Sequence, residues 1–241
     1  MPAASPDNVT DASDDCLSVI MPVFNESPTV ESVIMKLLQL PIPIQLVIVN
    51  DGSSDGTQEI LERFATIPSI TVIHHATNQG KGSAVRSALA NATGSCVVIQ
   101  DADLEYDPAD LPRLWGPIRE GTADVVYGSR YATNSTNDSP LWHRLVNRFI
   151  TTTANISFGT SLTDIETCYK LFPVSVATEL LPGLRENRFG VEIELTAKFV
   201  ARGLRLVEIP ISYQRRGYAQ GKTIGWKDGL RALWCVWIYR Q

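Results

Sequence analysis

The stretch "CVVIQDADLEYDPADL", residues 96–111, runs from four apolar residues into two aspartates one residue apart, with Glu105 two positions further on. A short apolar run bounded by turn formers reads as a strand buried on both faces, the kind found in parallel sheets. Its carboxylates then stand at the strand's carboxyl end, where open parallel sheets gather their ligands.

The same pattern recurs on either side. "LSVIMPV" (17–23), "IQLVIVN" (44–50), "SITVIHH" (69–75) and "ADVVYGS" (123–129) are further β-branched runs. Helical patterns separate them over 28–39, from Thr57, over 81–91 and after Pro108, and Asp55 with Gln58 resembles a capping box for the second of these. Such alternation predicts an α/β fold with a mostly parallel central sheet and helices on both faces. Past residue 130 the alternation weakens. Residues 131–140 read as a polar loop, 141–157 and 190–202 as amphipathic helices, and 204–213 as a late strand that Pro210 favours at an edge. "GWKDGLRALWCVWIY" (225–239) reads as a final helix whose aromatic face is either core or membrane-facing.

With 241 residues, 44% of them hydrophobic, the chain can bury one full core. Its net charge of -5 argues against a general nucleic-acid binder, which needs a basic footprint for phosphates. Residues 1–16 hold Asp7, Asp11, Asp14 and Asp15 without a basic residue and read as a disordered acidic arm, leaving 17–241 as a single domain. From Arg202 onward eight Lys or Arg face only Glu208 and Asp228, so the basic end suits anions. No apolar run matches a secretory signal or a membrane span, and four scattered cysteines read as reduced thiols, so the expected location is cytoplasmic.

Asp101 and Asp103 point the same way if extended geometry persists to the strand end. Two close carboxylates repel unless a cation lies between them. Mg²⁺ or Mn²⁺ on one or two carboxylates would keep positions open for diphosphate oxygens. The plainer alternative is a solvated loop with Asp107 as a helix cap. "NQGKGSAVRSAL" (78–89) starts a helix with two glycines and Lys81, where backbone N–H groups suit phosphate, although Val85 occupies the third glycine position of a dinucleotide fingerprint. His74, His75 and His143 show no ligand spacing and read as structural.

Taken together, "VIMPVFNE" (19–26), "VIVNDGSSDGT" (47–57), "NQGKGSAVRSAL", "DADLEYDP", "GSRY" (128–131), "LTDIETCYKLF" (162–172), "RFGVEIELTAK" (188–198) and "GKTIGWKDGL" (221–230) resemble, in order and spacing, the family-two glycosyltransferases. The resemblance is to the dolichyl- or polyprenyl-phosphate mannosyltransferase and glucosyltransferase branch, over residues 17 to 240. It implies a GT-A fold: a Rossmann-like nucleotide-sugar half (17–130) joined to a smaller acceptor half (131–241). Carried over by residue, Pro22, Phe24 and Glu26 line the nucleotide pocket, Asp51 contacts the base, and Lys81 belongs to the G-K-G turn. Asp101 meets donor and metal, Asp103 is the main metal ligand, and Glu105 stands where relatives carry Gln as a further ligand. Arg130 approaches phosphate, while Arg215 and Lys222 fall in a late loop resembling a phosphate clamp.

The implied activity is inverting transfer of mannose or glucose from GDP-mannose or UDP-glucose to a polyprenyl phosphate, with Mg²⁺ or Mn²⁺. A hydroxyl acceptor would instead require a base, for which Asp164 is the spare carboxylate, otherwise a helix cap. The basic, Trp-rich C-terminus fits peripheral contact with anionic lipid. A sugar nucleotidylyltransferase would carry a glycine-rich loop where "PVFNES" stands, and a non-catalytic sugar-nucleotide binder would be expected to lack Asp103.

Overall fold

The computed structural model describes residues 16–133, 135–137, 139–216 and 226–240. The acidic arm therefore lies outside the described residues except for Cys16, as does Lys222. Strands β1 (Leu17–Val23), β2 (Ile44–Asn50), β3 (Ile70–His74), β4 (Cys96–Ile99) and β5 (Val125–Ser129) alternate with helices α1 (Val30–Leu38), α2 (Thr57–Phe64), α3 (Lys81–Leu89) and α4 (Leu111–Arg119). The runs 17–23, 44–50 and 96–99 form strands because their β-branched side chains are buried on both faces of the sheet.

The second half is less regular. A two-residue strand β6 (Thr136–Asn137) lies within the polar loop and is followed by α5 (Leu141–Phe158), β7 (Lys170–Pro173), α6 (Val174–Leu180) and α7 (Val191–Ala201). Next come β8 (Leu206–Pro210), β9 (Ser212–Tyr213) and α8 (Trp226–Tyr239). The late run 204–213 is thus two strands rather than one: β8 takes the edge of the main sheet, and β9 turns away to pair with β6. The seven main strands are ordered β3-β2-β1-β4-β7-β5-β8.

Strand β7 has no counterpart in the sequence reading, which lacked any alternation at "YKLF". It inserts antiparallel between β4 and β5. Because it runs backwards, its amino end lies at the carboxyl ends of its neighbours, so the preceding loop 162–169 joins the ligand edge. The sheet order reverses between β1 and β4, which is where open α/β sheets form their binding crevice.

The capping box expected of Asp55 and Gln58 does not form. Gly56, at φ 89°, takes the cap position, Asp55 accepts from the Thr57 N–H at 3.1 Å, and Gln58 donates to Glu62 at 3.0 Å. The start of α3 is set by close packing. A Cβ on Gly82 would lie 2.1 Å from the Glu186 carbonyl oxygen, against backbone that has little room to retreat. Gly82→Ala should cost about 1–3 kcal/mol by overpacking. Chemical denaturation checks it, and an unchanged midpoint would show that loop 184–190 yields freely.

Candidate active site

A cleft of about 1040 Å³ lies along the carboxyl edge. Its sheet-edge wall collects Pro22, Phe24, Glu26, Asp51, Lys81, Asp101, Asp103 and Glu105, and Arg130, Arg215, Arg216 and Glu166 complete the lining. The end of β1 and the segments after β1, β2, β3, β4, β5 and β9 therefore bring together every sequence-nominated residue of the described chain except Asp164.

Asp103 is the crowded group. Burial, with the charges of Asp101 and Glu105 beside it, pushes its carboxyl up to about 7 against the pull of Arg216 and the Glu105 N–H. The Arg216 guanidinium spans the cleft wall, gripping Glu26 at 2.7 and 2.8 Å and Asp103 at 3.0 Å. Sequence reading passed over Arg216, although it sits next to Arg215 in the basic C-terminal stretch. Glu105 turns both its oxygens to the neighbouring segment: one accepts from the Tyr213 hydroxyl and the other from the Arg216 N–H at 2.8 Å. Lys81 contacts Asp101 at 2.7 Å and Glu192 at 3.1 Å.

Among the described residues no three Asp, Glu, His or Cys side chains form a ready metal cage. Asp101 and Asp103 nonetheless suit a hard divalent ion, since Mg²⁺ and Mn²⁺ need few protein oxygens when ligand phosphates and water complete the shell. Burial is the larger cause of the raised Asp103 carboxyl, and the repulsion from Asp101 and Glu105 that adds to it is what such an ion relieves.

Part of the phosphate cradle expected at the start of α3 is taken up internally. Asp51 accepts from the Gln79 N–H at 2.9 Å and the Gly80 N–H at 2.7 Å. Its Oδ1 also meets His75 Nδ1 at 2.7 Å, and His75 Nε2 meets the Ser87 hydroxyl at 2.8 Å. His75, read from sequence as structural, thus fixes the carboxylate expected to face the base. Replacing it with Phe leaves Asp51 with fewer partners and a freer rotamer. Donor KM should rise about tenfold with kcat little changed, as for a lost hydrogen bond to a charged group. Steady-state kinetics decide, and a fall in kcat alone would assign His75 elsewhere.

Arg130 forms a two-pronged pair with Asp164, Nε to Oδ2 at 2.6 Å and Nη2 to Oδ1 at 2.7 Å, and lies 5.2 Å from the Tyr213 ring centre. Asp164 is fully buried behind it and does not line the cleft. The carboxylate of that loop that faces the cleft is Glu166, two residues on and unremarked in the sequence. Desolvation pushes Glu166 up to about 7, with Arg130 opposing and Asp164 reinforcing. A carboxyl raised from its ordinary 4.5 favours folding while protonated; that contribution is complete below pH 4.5 and is lost as pH rises through about 7. Glu166→Gln should accordingly match the native protein at pH 4 and exceed it in stability at pH 8. Denaturant titrations at the two pH values test this, and equal midpoints at pH 8 would refute it.

Arg215 lines the cleft and meets His143 of α5 at 2.7 Å. Beyond it the wall turns apolar, with Trp142, Val146, Phe149 and Ile150 of α5 and Leu230 and Leu233 of α8.

An α/β sheet with paired aspartates after β4, beside the point where its strand order reverses, defines the class. Residues 18–181 match the model of glycosyl transferase family 2, and the chain belongs to that family. An undecaprenyl-phosphate mannosyltransferase from Micrococcus luteus is 28% identical over 212 residues, covering 86% of this chain and 86% of that one. A polyprenol monophosphomannose synthase from Mycolicibacterium smegmatis is 27% identical over 214 residues, covering 86% and 80%. Among solved structures, a mannosyltransferase from Pyrobaculum calidifontis in complex with GDP-Man and Mn²⁺ superposes with a TM-score of 0.60 at 23% identity, covering 86% of this chain and 59% of that one. The fold is therefore that of GT-A glycosyltransferases.

Proposed function

We propose that the protein transfers a hexose, mannose in the first instance, from a nucleotide diphosphate sugar to a polyprenyl phosphate with inversion. The observation that carries this is the two-ended cleft: carboxylates and cations at the sheet edge, then an aromatic and aliphatic mouth between α5 and α8. A sugar diphosphate suits the first end and a prenyl chain the second. The names of the relatives in Micrococcus luteus and Mycolicibacterium smegmatis support the same acceptor class.

In this reading Pro22, Phe24, Glu26 and Asp51 hold the nucleotide, and residues 17–130 serve the donor while 131–241 serve the acceptor. Asp101 and Asp103 would hold Mg²⁺ or Mn²⁺, which when bound stabilises charge on the departing diphosphate. Glu105, its oxygens engaged by Tyr213 and Arg216, braces the segment 213–216 against the donor wall. Arg130 and Arg215 present positive charge to phosphate between the two ends. A phosphate oxygen attacks the sugar's anomeric carbon as the bond to the diphosphate breaks. That oxygen is already anionic near neutral pH, so no side chain removes a proton. Asp164 then acts by orienting Arg130 rather than as a base. On this reading the protein works at the cytoplasmic face of a membrane, and among the described residues no helix is long and apolar enough to cross one.

The test is transfer of labelled sugar from GDP-mannose and from UDP-glucose to polyprenyl phosphate, with Mg²⁺, Mn²⁺ or chelator. Metal-dependent product in the lipid phase is expected from one donor. Donor turnover only with a hydroxyl acceptor would overturn the lipid reading.

A further inference from the structure

The strand order β4-β7-β5 puts three groups side by side at the cleft edge. Asp101 and Asp103 follow β4, Arg130 follows β5, and the loop 162–169 that leads into antiparallel β7 lies between them. Within that loop only Glu166 lines the cleft. Its neighbours turn inward. Asp164 pairs with Arg130, the Thr167 hydroxyl donates to the Gly128 carbonyl at 2.6 Å, and Ile165 is fully buried. The Cys168 N–H donates to the Tyr106 hydroxyl at 3.2 Å, and the buried Lys170 ammonium donates to the Ile165 carbonyl at 2.9 Å. The loop is thus fastened on its β4 side and on its β5 side, so the backbone that carries Glu166 is held in place before a ligand arrives.

Every other carboxylate lining the cleft is engaged. Arg216 holds Glu26 and Asp103, Lys81 holds Asp101, and Glu105 and Asp51 accept from the partners described above. Glu192 of α7 lies between two ammonium groups, Lys81 at 3.1 Å and Lys170 at 2.9 Å. Glu166 differs: the charges of Arg130, Asp164, Lys170 and Glu192 act on it, but among the described residues no hydrogen bond does. A partly buried carboxylate in that condition keeps its acceptor capacity for a ligand.

Chemistry selects the occupant. A carboxylate repels phosphate, and an aliphatic chain against it leaves its oxygens without partners. A sugar hydroxyl donates to it, and neighbouring hydroxyls of one ring can meet its two oxygens together. Position agrees with this. In the function proposed above, the donor diphosphate lies at Asp101 and Asp103 and the acceptor phosphate at Arg130, so the hexose passes between them, where Glu166 stands. We infer that Glu166 holds the hexose by accepting hydrogen bonds from its ring hydroxyls, and so sets which sugar the cleft takes. Bond-making stays with the phosphate oxygen. The inference rests on the reading of the cleft as a sugar-diphosphate site.

Isothermal titration in the presence of Mn²⁺ tests it with three kinds of ligand. These are the sugar nucleotide the native chain binds, GDP-mannose or UDP-glucose, its bare nucleoside diphosphate, and the same donor lacking one ring hydroxyl at a time. Glu166→Ala should bind the whole donor about 10- to 100-fold more weakly, the worth of hydrogen bonds to a charged group, and the bare diphosphate within about twofold of native. At least one deoxy donor should lose a similar factor with the native protein and lose nothing further with Glu166→Ala. Glu166→Gln, which keeps one acceptor oxygen and the side-chain shape, should fall between. Equal losses for whole donor and bare diphosphate would make Glu166 a structural group and overturn the inference. So would a variant that discriminates every deoxy donor as the native protein does, or one that keeps donor affinity but loses transfer to a hydroxyl acceptor, which would make Glu166 a base. Those outcomes leave the sugar-diphosphate reading intact. A native chain that binds neither sugar nucleotide defeats that reading, and the inference with it.

Discussion

Asp103→Asn should lower sugar transfer about 1000-fold, the loss expected when a group stabilising transition-state charge is removed from a water-poor site. That corresponds to roughly 4 kcal/mol of barrier. Fold should survive the change. Asn keeps the oxygen that accepts the Glu105 N–H at 3.0 Å, and the substitution removes a carboxylate crowded by Asp101 and Glu105. The loss should appear in kcat with Mg²⁺ or Mn²⁺ at saturation, and far-UV circular dichroism should be native. Activity within tenfold of the native enzyme would remove Asp103 from the metal site and leave Asp101 to explain any chelator sensitivity.

The second large effect concerns Arg130. Its Ala variant leaves Asp164, fully buried, without its two-pronged partner. Breaking one side of a buried pair costs about 3–5 kcal/mol, which for a chain of this size is a fall in Tm of about 6–20 °C. Transfer should fall at least about 100-fold as well, because the cation proposed to face the phosphate is gone. Stability and chemistry separate in the double variant Arg130→Met, Asp164→Leu. Replacing both ions with apolar groups should recover most of the lost stability, since no charge is then stranded. Transfer should stay low. Recovery of transfer along with stability would make the pair purely structural.

Much of the cleft's sheet-edge wall was legible because many of its residues end or closely follow an apolar run. Pro22, Asp51, Asp101 and Asp103 end or follow β1, β2 and β4, and parallel strands with buried faces leave a long periodic trace in the sequence. The acceptor half left a weaker trace. Strand β7 is four residues long and antiparallel, so neither its length nor its alternation distinguished "YKLF" from a loop. Its placement brings Glu166 to the cleft and puts Asp164 behind Arg130. Neither orientation follows from the order of residues in "LTDIETC".

The sequence by itself determined the α/β alternation, the strand ends that line the cleft, and the family, because local hydrophobic period and short motifs are properties of neighbouring residues. Only the tertiary structure decided who partners whom. Arg216 reaches Glu26 across 190 positions, and His75 braces Asp51 across 24. It also decided that α5 and α8 turn Trp and Ile outward. Such pairings depend on how distant segments are brought together when the sheet closes, and electrostatic and packing energies between them act only once that approach has been made.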